Sequence, residues 1–365
     1  MMTHIELSSK GRIIFCAAGT GGHVFPALSV FAALKDQQPL LLTDPRGAAY
    51  CQDIPEEEKL ILDSGKGSLT SAKVLGAFLK KSYANARYLN KLWHENRPSV
   101  VVGFGGRSTF IPLLIACKMR IPTLIHEQNA VMGRTNRVLS YMVTCIMLSF
   151  PETRRCPKIG KRYYTGMPIR SEFLGHTPEP LKKRGDIRLC ILGGSQGAHV
   201  FSSVIPRALI LLPEALRKRL FVVQQVQEEA LPFVEAFYTV HAIRHELFCF
   251  SDRVAFLMKG AHLVICRAGA SSLAELAALA CPTLMIPYPH ALDDHQKDNA
   301  YFYAEHRAGW CILEQDFTPQ RCADFLVEHL VDISSLENAG KAMHTLAKVE
   351  ATEKLVSAIV SLKQG

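Results

Sequence analysis

The sequence predicts an α/β protein with two similar domains, each a parallel sheet covered by helices. Short runs that are apolar throughout alternate with helical patterns, and a motif of strand, glycine-rich turn and helix occurs twice. Strands that are apolar throughout are typical of parallel sheets buried on both faces, and strands that alternate with helices build such sheets through right-handed crossovers. The 365 residues are also enough for two domains of ordinary size.

The repeated motif consists of an apolar run, a glycine-rich turn and a helical pattern that contains His-Val-Phe. Its copies are RIIFCAAGTGGHVFPAL at residues 12–28 and IRLCILGGSQGAHVFSSV at residues 187–204. The histidines of the two copies, His23 and His199, lie nearly half a chain apart. We therefore expect two copies of one fold, joined near residues 164–188, a stretch rich in Gly, Pro and charge with little periodicity.

The other predicted strands are short apolar runs. They are residues 39–42, 99–102, 123–125, 220–223, 263–266 and 283–286. Helical periodicity is clearest at residues 273–280 and 322–330. Because ligands of open parallel sheets bind beyond the carboxyl ends of the strands, we expect a ligand in the cleft between the two domains.

Composition excludes several classes of protein. Apolar residues make up 48% of the chain and charged residues 21%, as in globular proteins and not in disordered or fibrous ones. No apolar run approaches the roughly 20 residues that span a bilayer, and the first ten residues lack the apolar stretch of a signal peptide. The net charge of +9 would suit nucleic acid, but no nucleic-acid motif occurs. We expect a protein of the cytoplasm or of a membrane surface, without a nucleic-acid partner.

The eleven cysteines are odd in number, scattered and without a CxxC pair. Several, including Cys16, Cys145, Cys190 and Cys266, lie inside apolar runs, so we expect reduced core thiols and no structural zinc. The acidic pair Asp293-Asp294 could suggest a metal site. We interpret it instead as part of a segment whose polar groups suit hydrogen bonds to the hydroxyls of a sugar. No metal and no cofactor are expected.

Three glycine-rich turns follow predicted strands, at residues 19–23, 103–106 and 193–197. Glycine lets the backbone approach a ligand closely, and the N-terminus of the following helix favours an anion. None ends in the GK[ST] of a nucleoside-triphosphate loop. Val24 stands where a nicotinamide fingerprint needs a small residue, and Asp44 is an unconvincing ribose ligand for it. The turns indicate another anionic ligand, although each one alone can be an ordinary tight turn.

Polar clusters follow the predicted strands. They lie at residues 126–129, 165–170, 195–196, 266–275 and 287–299. Residues 269–272 would open a helix with Glu275 in its first turn, where a carboxylate suits ribose hydroxyls or complements the helix dipole. Arg170 could pair with a diphosphate, or lie on the surface. His23 and Glu127 both follow strand ends, and either could be a general base.

The segment 73–93 predicts a two-faced helix. At 100° per residue, one stripe holds Lys73, Lys80, Arg87 and Lys91, and the opposite stripe holds Leu75, Phe78, Leu79, Ala86, Leu89 and Trp93. The basic stripe is either the solvated face of a core helix or a contact with anionic lipid, worth roughly 1 kcal/mol per cation. The apolar residues 110–114 could add a small insertion patch.

The segments GTGGHVFPAL, HEQN, TGMPIR, GGSQGA, residues 267–275 and DDHQKDNA occur in this order and at this spacing in one family. On these motifs the chain resembles, over residues 12–345, the MurG family of peptidoglycan synthesis. Members transfer N-acetylglucosamine from UDP-N-acetylglucosamine to the 4-hydroxyl of a lipid-linked muramoyl-pentapeptide.

The resemblance implies the GT-B architecture, two Rossmann-like domains facing across a cleft. Residues 1–166, joined by a C-terminal helix at 346–365, would serve the acceptor and the membrane side, and residues 167–345 would bind the donor. The implied reaction is a single inverting, metal-independent displacement. The implied place is the cytoplasmic face of the inner membrane, with an anionic lipid surface and cell-wall synthesis proteins as partners.

The resemblance also implies site residues. The donor would be met by Thr20, Gly21, Gly22, Asn129, Arg170, Ser195, the backbone at Ser251, Ala270, Ser271, Ser272, Leu273, Ala274, Glu275 and Gln296, and the acceptor by Gly105, Gly106 and Arg107. Among these, Arg170 and Ser195 would meet the diphosphate, Ser251 the uracil, Glu275 the ribose and Gln296 the N-acetylglucosamine hydroxyls. The implied catalytic residues are His23 and Glu127.

The chain departs from the family pattern at four positions. Arg107 stands where tyrosine is usual, and can itself attract the acceptor's diphosphate. Ala18 replaces a second glycine, Ser251 an apolar residue, and His295 the second glutamine of some members.

Two rival functions stay open. One is another UDP-sugar enzyme on the same fold, such as a 2-epimerase or a soluble transferase, and the other is a non-catalytic protein that binds a sugar nucleotide. The motifs HEQN and GTGGHVFP argue against the first, and the presence of His23, Glu127 and Gln296 argues against the second.

Overall fold

The computed structural model describes residues 11–63, 72–176, 181, 185–194, 198–251 and 253–364, with the backbone alone for residues 72–75, 77 and 78. The chain divides into two compact units. The first unit is Met1–Arg170 together with Val349–Gly365, and the second unit is Ser171–Lys348.

The first unit is built on a parallel sheet of seven strands in the order β3-β2-β1-β4-β5-β6-β7. The strands are β1 (Ile13–Cys16), β2 (Leu40–Thr43), β3 (Lys59–Ile61), β4 (Val100–Gly103), β5 (Thr123–Glu127), β6 (Cys145–Leu148) and β7 (Lys161–Tyr164). The helices are α1 (Gly21–Ala33), α2 (Ala72–Glu95), α3 (Phe110–Lys118), α4 (Arg134–Leu139) and, from the end of the chain, α13 (Ala351–Gln364).

The second unit repeats this plan with six parallel strands in the order β10-β9-β8-β11-β12-β13. The strands are β8 (Ile187–Leu192), β9 (Leu220–Gln225), β10 (Arg244–Phe248), β11 (Leu263–Cys266), β12 (Thr283–Met285) and β13 (Trp310–Cys311). The helices are α5 (His199–Ile210), α6 (Glu214–Arg217), α7 (Leu231–Val240), α8 (Val254–Met258), α9 (Ala270–Ala278), α10 (His295–Glu305), α11 (Pro319–Val331) and α12 (Ser334–Leu346).

The two copies of the sequence motif occupy the same place in the two sheets. β1 lies between β2 and β4, and β8 lies between β9 and β11. In both sheets the strand order reverses at this central strand, and the glycine-rich turn follows its carboxyl end. Such a switch point is where open parallel sheets bind ligands. The predicted α/β class, with two Rossmann-like sheets, is confirmed.

Apolar residues on both faces of each sheet form the cores. In the first unit, Ile14 packs with Leu89 and Trp93 on one face, while Ile13 packs with Leu355 on the other. All five are fully buried. Because α13 covers part of the second face, the end of the chain contributes to the core of the first unit.

The strands that the sequence did not predict include all four edge strands. β3, β7, β10 and β13 each pair on one side only, and β7 (KRYY) is exposed along its whole length. An edge strand is not buried on both sides and tolerates polar residues, so it lacks the apolar run that marks a central strand. The buried, apolar strand β6 is also missing from the predicted strands. β11 has the predicted bounds.

The stretch predicted to join the domains contains a 3₁₀ turn at Ser171–Phe173 and the start of β8 at Ile187. The boundary between the units falls within it, between Arg170 and Ser171. Residues 177–180 and 182–184 of this stretch lie outside the described part.

All eleven cysteines are free thiols, and seven of them are buried. Burial raises the pKa of Cys145 to about 11, which keeps this thiol protonated at neutral pH. The four cysteines named as core thiols, Cys16, Cys145, Cys190 and Cys266, are all buried, whereas Cys249, which follows the edge strand β10, is exposed.

Candidate functional site

Asp44 ties together three turns at the carboxyl edge of the first sheet. Its Oδ1 accepts hydrogen bonds from the backbone nitrogens of Gly19 (3.1 Å) and Gly47 (2.8 Å), and its Oδ2 accepts one from Ser108 Oγ (3.1 Å). The turns after β1, β2 and β4 are neighbours because those strands are adjacent. From the sequence, Asp44 was considered only as a weak candidate ribose ligand. Its position directly after a strand, near the glycine-rich turns, is the feature that could have indicated its role in holding the three turns together.

The turn after β4 needs both of its glycines. Gly105 and Gly106 have φ near +90°, in the left-handed region that side chains rarely adopt. A Cβ on Gly106 would lie 2.5 Å from the backbone oxygen of Ala18, and one on Gly105 would lie 3.1 Å from the His23 ring. The turns after β1 and β4 therefore pack closely, and the His23 ring lies beside Gly105.

His23 lies in the first turn of α1 and is half-buried. Its Nδ1 lies 3.0 Å from Gln128 Oε1, and Gln128 Nε2 lies 3.1 Å from His126 Nδ1. His126 is fully buried, and its Nε2 lies 3.1 Å from the backbone oxygen of Gly166. Burial lowers the pKa of His126 to about 4, with a smaller contribution from His23. The sequence marked HEQN as a motif but missed this connection between Gln128 and His23.

The carboxylate of Glu127 is buried and hydrogen-bonded on both oxygens. Oε1 accepts from the backbone nitrogen of Asn129 (3.0 Å), and Oε2 accepts from the backbone nitrogen of Gly133 (3.0 Å) and from Asn136 Nδ2 (2.9 Å). These bonds fold the segment after β5 back toward its strand. β5 itself runs two residues further than predicted and includes His126 and Glu127.

The other residues expected near the first site lie at the same edge. Thr20 precedes α1 as its N-cap, Gly22 is exposed, and a Cβ on Gly21 would lie 2.6 Å from the Phe25 ring. Arg107 is exposed in a 3₁₀ turn, and the Arg170 guanidinium lies 5.0 Å from the centre of the Phe25 ring. The structure thus brings His23, Thr20–Gly22, Gly105–Arg107 and the segment 126–129 to one edge of one sheet.

In the second unit, helix α9 follows the central strand β11 and begins after Gly269. Its first turn holds Ala270, Ser271, Ser272 and Leu273. The backbone nitrogen of Leu273 donates to the oxygen of Gly269 (3.0 Å), and the N–H groups of the three residues before it have no partner within the helix. Glu275 is buried and lies in the second turn, not in the first turn as the sequence predicted. The helix begins at Ala270, so Glu275 is too far along to complement the dipole at the N-terminus.

Gln296 lies in the first turn of α10, and its Oε1 accepts a hydrogen bond from the backbone nitrogen of Tyr288 (3.0 Å). Arg267 supports the same loop, a role that the sequence did not reveal. Its guanidinium donates to the backbone oxygens of Ile286 (3.2 Å) and Pro287 (3.3 Å) and pairs with Glu314. Arg267 therefore connects the segments after β11, β12 and β13.

Two further donor residues of the sequence prediction come from loops of the second unit. Ser251 follows β10, and its Oγ accepts a hydrogen bond from the backbone nitrogen of Arg253 (3.1 Å). The neighbouring Phe250 is 87% exposed. Ser195, expected at the diphosphate, lies outside the described residues. In the described ranges, no three His, Cys, Asp or Glu side chains are placed to hold a metal.

Helix α2 has the predicted basic face, but its apolar face is only partly buried. Lys80, Arg87 and Lys91 are exposed, and Leu89 and Trp93 are fully buried. The side chains of Lys73, Leu75 and Phe78 lie outside the description. Leu79 is 57% exposed, so its assignment to the core-facing stripe is wrong.

The predicted insertion patch at residues 110–114 is also wrong. Pro112 and Leu113 are buried, and Phe110 and Ile111 pack against the core. Across the described residues, no helix combines the length and the apolar composition needed to span a bilayer.

The chain matches known families and proteins over most of its length. Residues 13–148 match the glycosyltransferase family 28 N-terminal domain, and residues 188–359 match the C-terminal domain of that family. A UDP-N-acetylglucosamine–N-acetylmuramyl-(pentapeptide) pyrophosphoryl-undecaprenol N-acetylglucosamine transferase from Granulibacter bethesdensis is 37% identical, over 95% of this chain and 92% of the relative.

The transferase of the same name from Methylorubrum extorquens is 38% identical, over 95% of this chain and 96% of the relative. Among solved structures, MurG from Acinetobacter baumannii has a TM-score of 0.77 at 26% identity, over 96% of this chain and 99% of that chain. Since relatives at this identity span nearly the whole sequence, the chain belongs to the MurG family within glycosyltransferase family 28.

Proposed function

We propose that this protein transfers N-acetylglucosamine from UDP-N-acetylglucosamine to the 4-hydroxyl of a lipid-linked muramoyl-pentapeptide. The observation that carries the proposal is the 37% identity, over 95% of the chain, to a transferase named for this reaction. The described residues of the six motifs that carry the resemblance fall at the carboxyl edges of the two sheets or in the segments beside them. This placement supports the assignment of the motifs to ligands.

In this proposal the second unit binds the donor. The N-terminus of α9 offers the backbone N–H groups of Ala270, Ser271 and Ser272, which have no partner within the helix, and the positive end of a helix dipole, which suits a diphosphate. Glu275 meets the ribose hydroxyls, and Gln296 the hydroxyls of the N-acetylglucosamine. The backbone at Ser251 meets the uracil, and Ser195 adds to diphosphate binding, as does Arg170, which belongs to the first unit.

The first unit binds the acceptor and supplies the base. Gly105, Gly106 and Arg107 face the acceptor, and Thr20, Gly21, Gly22 and Asn129 face the sugar. We assign the base to His23, because its ring is only half-buried, whereas both carboxylate oxygens of Glu127 are occupied by hydrogen bonds. Glu127 holds the loop that carries Asn129.

The reaction is one direct displacement. His23 removes the proton of the acceptor's 4-hydroxyl, and that oxygen attacks the anomeric carbon from the face opposite UDP. The bond from this carbon to the diphosphate oxygen breaks, and UDP leaves with the electron pair, so the α-linkage becomes β. Negative charge that develops on UDP is stabilised by the α9 N-terminus and Arg170.

A transfer assay tests the proposal. The protein is incubated with labelled UDP-N-acetylglucosamine and a short-chain lipid-linked muramoyl-pentapeptide. We expect disaccharide-lipid and UDP in equal amounts. An epimerised nucleotide sugar alone, or binding without turnover, would contradict the proposal in favour of one of the rival functions.

The His23→Ala variant tests the base. We expect kcat to fall by about 100-fold or more, the usual contribution of a positioned base, with unchanged binding of UDP-N-acetylglucosamine. Near-normal turnover by a correctly folded variant would exclude His23 as the base.

The protein further binds peripherally to the anionic membrane surface that holds its acceptor, at the cytoplasmic face of the inner membrane. The basic face of α2, defined by Lys80, Arg87 and Lys91, is exposed and supports this contact. Each cation near such a surface contributes roughly 1 kcal/mol. Cell-wall synthesis proteins are its proposed protein partners.

Vesicle flotation tests the lipid contact. The protein should float with phosphatidylglycerol vesicles at low salt, and the triple variant Lys80→Glu, Arg87→Glu, Lys91→Glu should not. A matched triple variant at exposed cations of the second unit, Lys259→Glu, Arg307→Glu and Lys341→Glu, changes the charge equally and should still float. If the wild-type protein does not float, the lipid contact is excluded.

A further inference from the structure

Three side chains of the first unit form a continuous hydrogen-bonded chain that ends on His23. His23 Nδ1 contacts Gln128 Oε1, Gln128 Nε2 contacts His126 Nδ1, and His126 Nε2 contacts the backbone oxygen of Gly166, at 3.0, 3.1 and 3.1 Å. Gln128 and His126 are buried. Imidazole and amide groups can each be oriented in two ways, so the direction of every bond follows from the surrounding groups.

Two backbone oxygens fix this direction, because a carbonyl oxygen only accepts hydrogen bonds. The oxygen of Gly166 requires the hydrogen of His126 on Nε2, which leaves a lone pair on His126 Nδ1. The backbone oxygen of His126 lies 3.2 Å from Gln128 Nε2 and requires the amide NH₂ group there. Turned over, the amide oxygen of Gln128 would face two acceptors, the lone pair of His126 Nδ1 and the His126 backbone oxygen, which also accepts from Asn136 Nδ2 at 3.1 Å.

Ser149 is consistent with the same direction. Its Oγ lies 3.2 Å from His126 Nε2 and 3.8 Å from Met167 Sδ. The hydroxyl donates to the sulfur, and its oxygen accepts from the Nε2–H group. Because burial lowers the pKa of His126 to about 4, this ring is neutral at neutral pH and keeps its Nδ1 lone pair.

We propose that Gln128 and His126 hold His23 in the tautomer with hydrogen on Nδ1, so that the lone pair on His23 Nε2 is the proton acceptor of the reaction. Gln128 Oε1 can only accept, so His23 Nδ1 must donate to it. Among the described residues, His23 Nε2 has no hydrogen-bond partner and is available to substrate. Gln128 and His126 are therefore positioning residues.

The tautomer itself can be measured without substrate. Correlation spectra (¹H–¹⁵N) of the free protein with ¹⁵N-labelled histidine, at about pH 8.5, two units above the ordinary imidazole pKa, distinguish hydrogen on Nδ1 from hydrogen on Nε2. The His23 signals are assigned by their loss in His23→Ala. We expect hydrogen on Nδ1, and hydrogen on Nε2 overturns the inference.

The role in catalysis rests on the proposed function and needs a second measurement. Gln128→Met keeps the length of the side chain but removes the acceptor. We expect kcat for transfer to fall about 100-fold, while KM for UDP-N-acetylglucosamine changes by less than about twofold. His23 should also lose its Nδ1–H tautomer in this variant.

The Gln128→Glu variant restores an acceptor for His23 Nδ1. We expect it to recover part of the loss in kcat, because one carboxylate oxygen accepts from His23 Nδ1 while the other replaces the NH₂ group that faces the His126 backbone oxygen. It should also shift the acidic limb of the pH profile to higher pH, because a carboxylate stabilises the imidazolium. Neither effect is expected of a glutamine with a merely structural role.

Gln224→Met is the matched control. Gln224 is a fully buried glutamine of β9, in the second unit, and its Oε1 accepts a hydrogen bond from the Tyr238 hydroxyl at 2.5 Å. Losing this amide should leave kcat unchanged. Equal kcat in the two methionine variants would overturn the role of Gln128. If neither variant transfers sugar and the wild type does not either, the proposed function fails while the tautomer result stands on its own.

Discussion

Two carboxylates accept hydrogen bonds from the turns at the edge of the first sheet where the acceptor is proposed to bind. Asp44 accepts hydrogen bonds from Gly19, Gly47 and Ser108, and Glu127 accepts them from the segment after β5. Removing such an acceptor leaves several donors without a partner, which costs about 1–3 kcal/mol for each buried group. Both residues therefore hold turns in place, which is consistent with the proposal that His23 is the base.

His126 makes the first unit less stable in mild acid. The folded-state pKa is about 4, below the ordinary value of 6.5, so between these values the unfolded chain binds the proton and the folded unit does not. The first unit therefore has its full stability above about pH 6.5 and becomes less stable as the pH falls toward 4. We expect the free energy of unfolding to fall by about 2 kcal/mol between pH 7.5 and pH 5.

Tryptophan fluorescence can follow this loss in the first unit alone. The chain has two tryptophans, Trp93 in the first unit and Trp310 in the second. In a Trp310→Phe background, denaturant unfolding followed at Trp93 measures the pH effect. The additional variant His126→Phe removes the titrating group, so a pH dependence that stays equally steep in that variant would contradict the assignment to His126.

At the scale of elements, the turn after β4 depends on the absence of a side chain. Gly106 has φ of +90°, and a Cβ would lie 2.5 Å from the Ala18 backbone oxygen. We expect Gly106→Ala to lower the free energy of unfolding of the first unit by at least about 1–3 kcal/mol and to lower kcat, since the turn must move away from His23. Denaturant unfolding followed at Trp93 and the transfer assay measure the two effects.

The control variant Gly160→Ala distinguishes the steric clash with Ala18 from the backbone strain of a positive φ. Gly160 also has a positive φ, +72°, but a Cβ there would meet nothing within 4 Å. This variant should lose less stability and keep its turnover. Equal losses in the two variants would show that the contact between the turns is unimportant.

Elements were predictable from the sequence where burial imposes a uniform composition. β11 (LVIC) is buried throughout and has the predicted bounds, whereas the edge strand β10 (RHELF) carries charges and gives no comparable signal. The candidate site was likewise only partly predictable from the sequence. Motifs identified His23 and Glu127, but only the turn through Gly133 and Asn136 shows that the Glu127 carboxylate is occupied, and such contacts between distant segments leave no pattern in the sequence.

At the scale of the whole molecule, the C-terminal helix α13 is part of the first unit, which is otherwise formed by the N-terminal part of the chain. Leu355 and Ile359 of α13 are fully buried in the core of the first unit, although the second unit lies between them and that unit in the sequence. We expect Leu355→Ala to destabilise the first unit by about 2–5 kcal/mol, the usual cost of a buried leucine truncated to alanine. Unfolding should shift at Trp93 in a Trp310→Phe background and stay unchanged at Trp310 in a Trp93→Phe background.

Leu336→Ala is the reciprocal control. Leu336 is equally buried in the core of the second unit, so its truncation should shift the Trp310 transition and leave the Trp93 transition in place. If either variant shifts both transitions equally, the two units do not unfold as separate bodies.

The stereochemistry of the transferred sugar tests the central claim most directly. Wild-type protein is given UDP-N-acetylglucosamine and the lipid-linked muramoyl-pentapeptide, and the linkage in the isolated product is determined by NMR. A single displacement assisted by His23 predicts one new β-linkage to the 4-hydroxyl, with one UDP released for each disaccharide. An α-linkage, or sugar on another hydroxyl, would contradict the account.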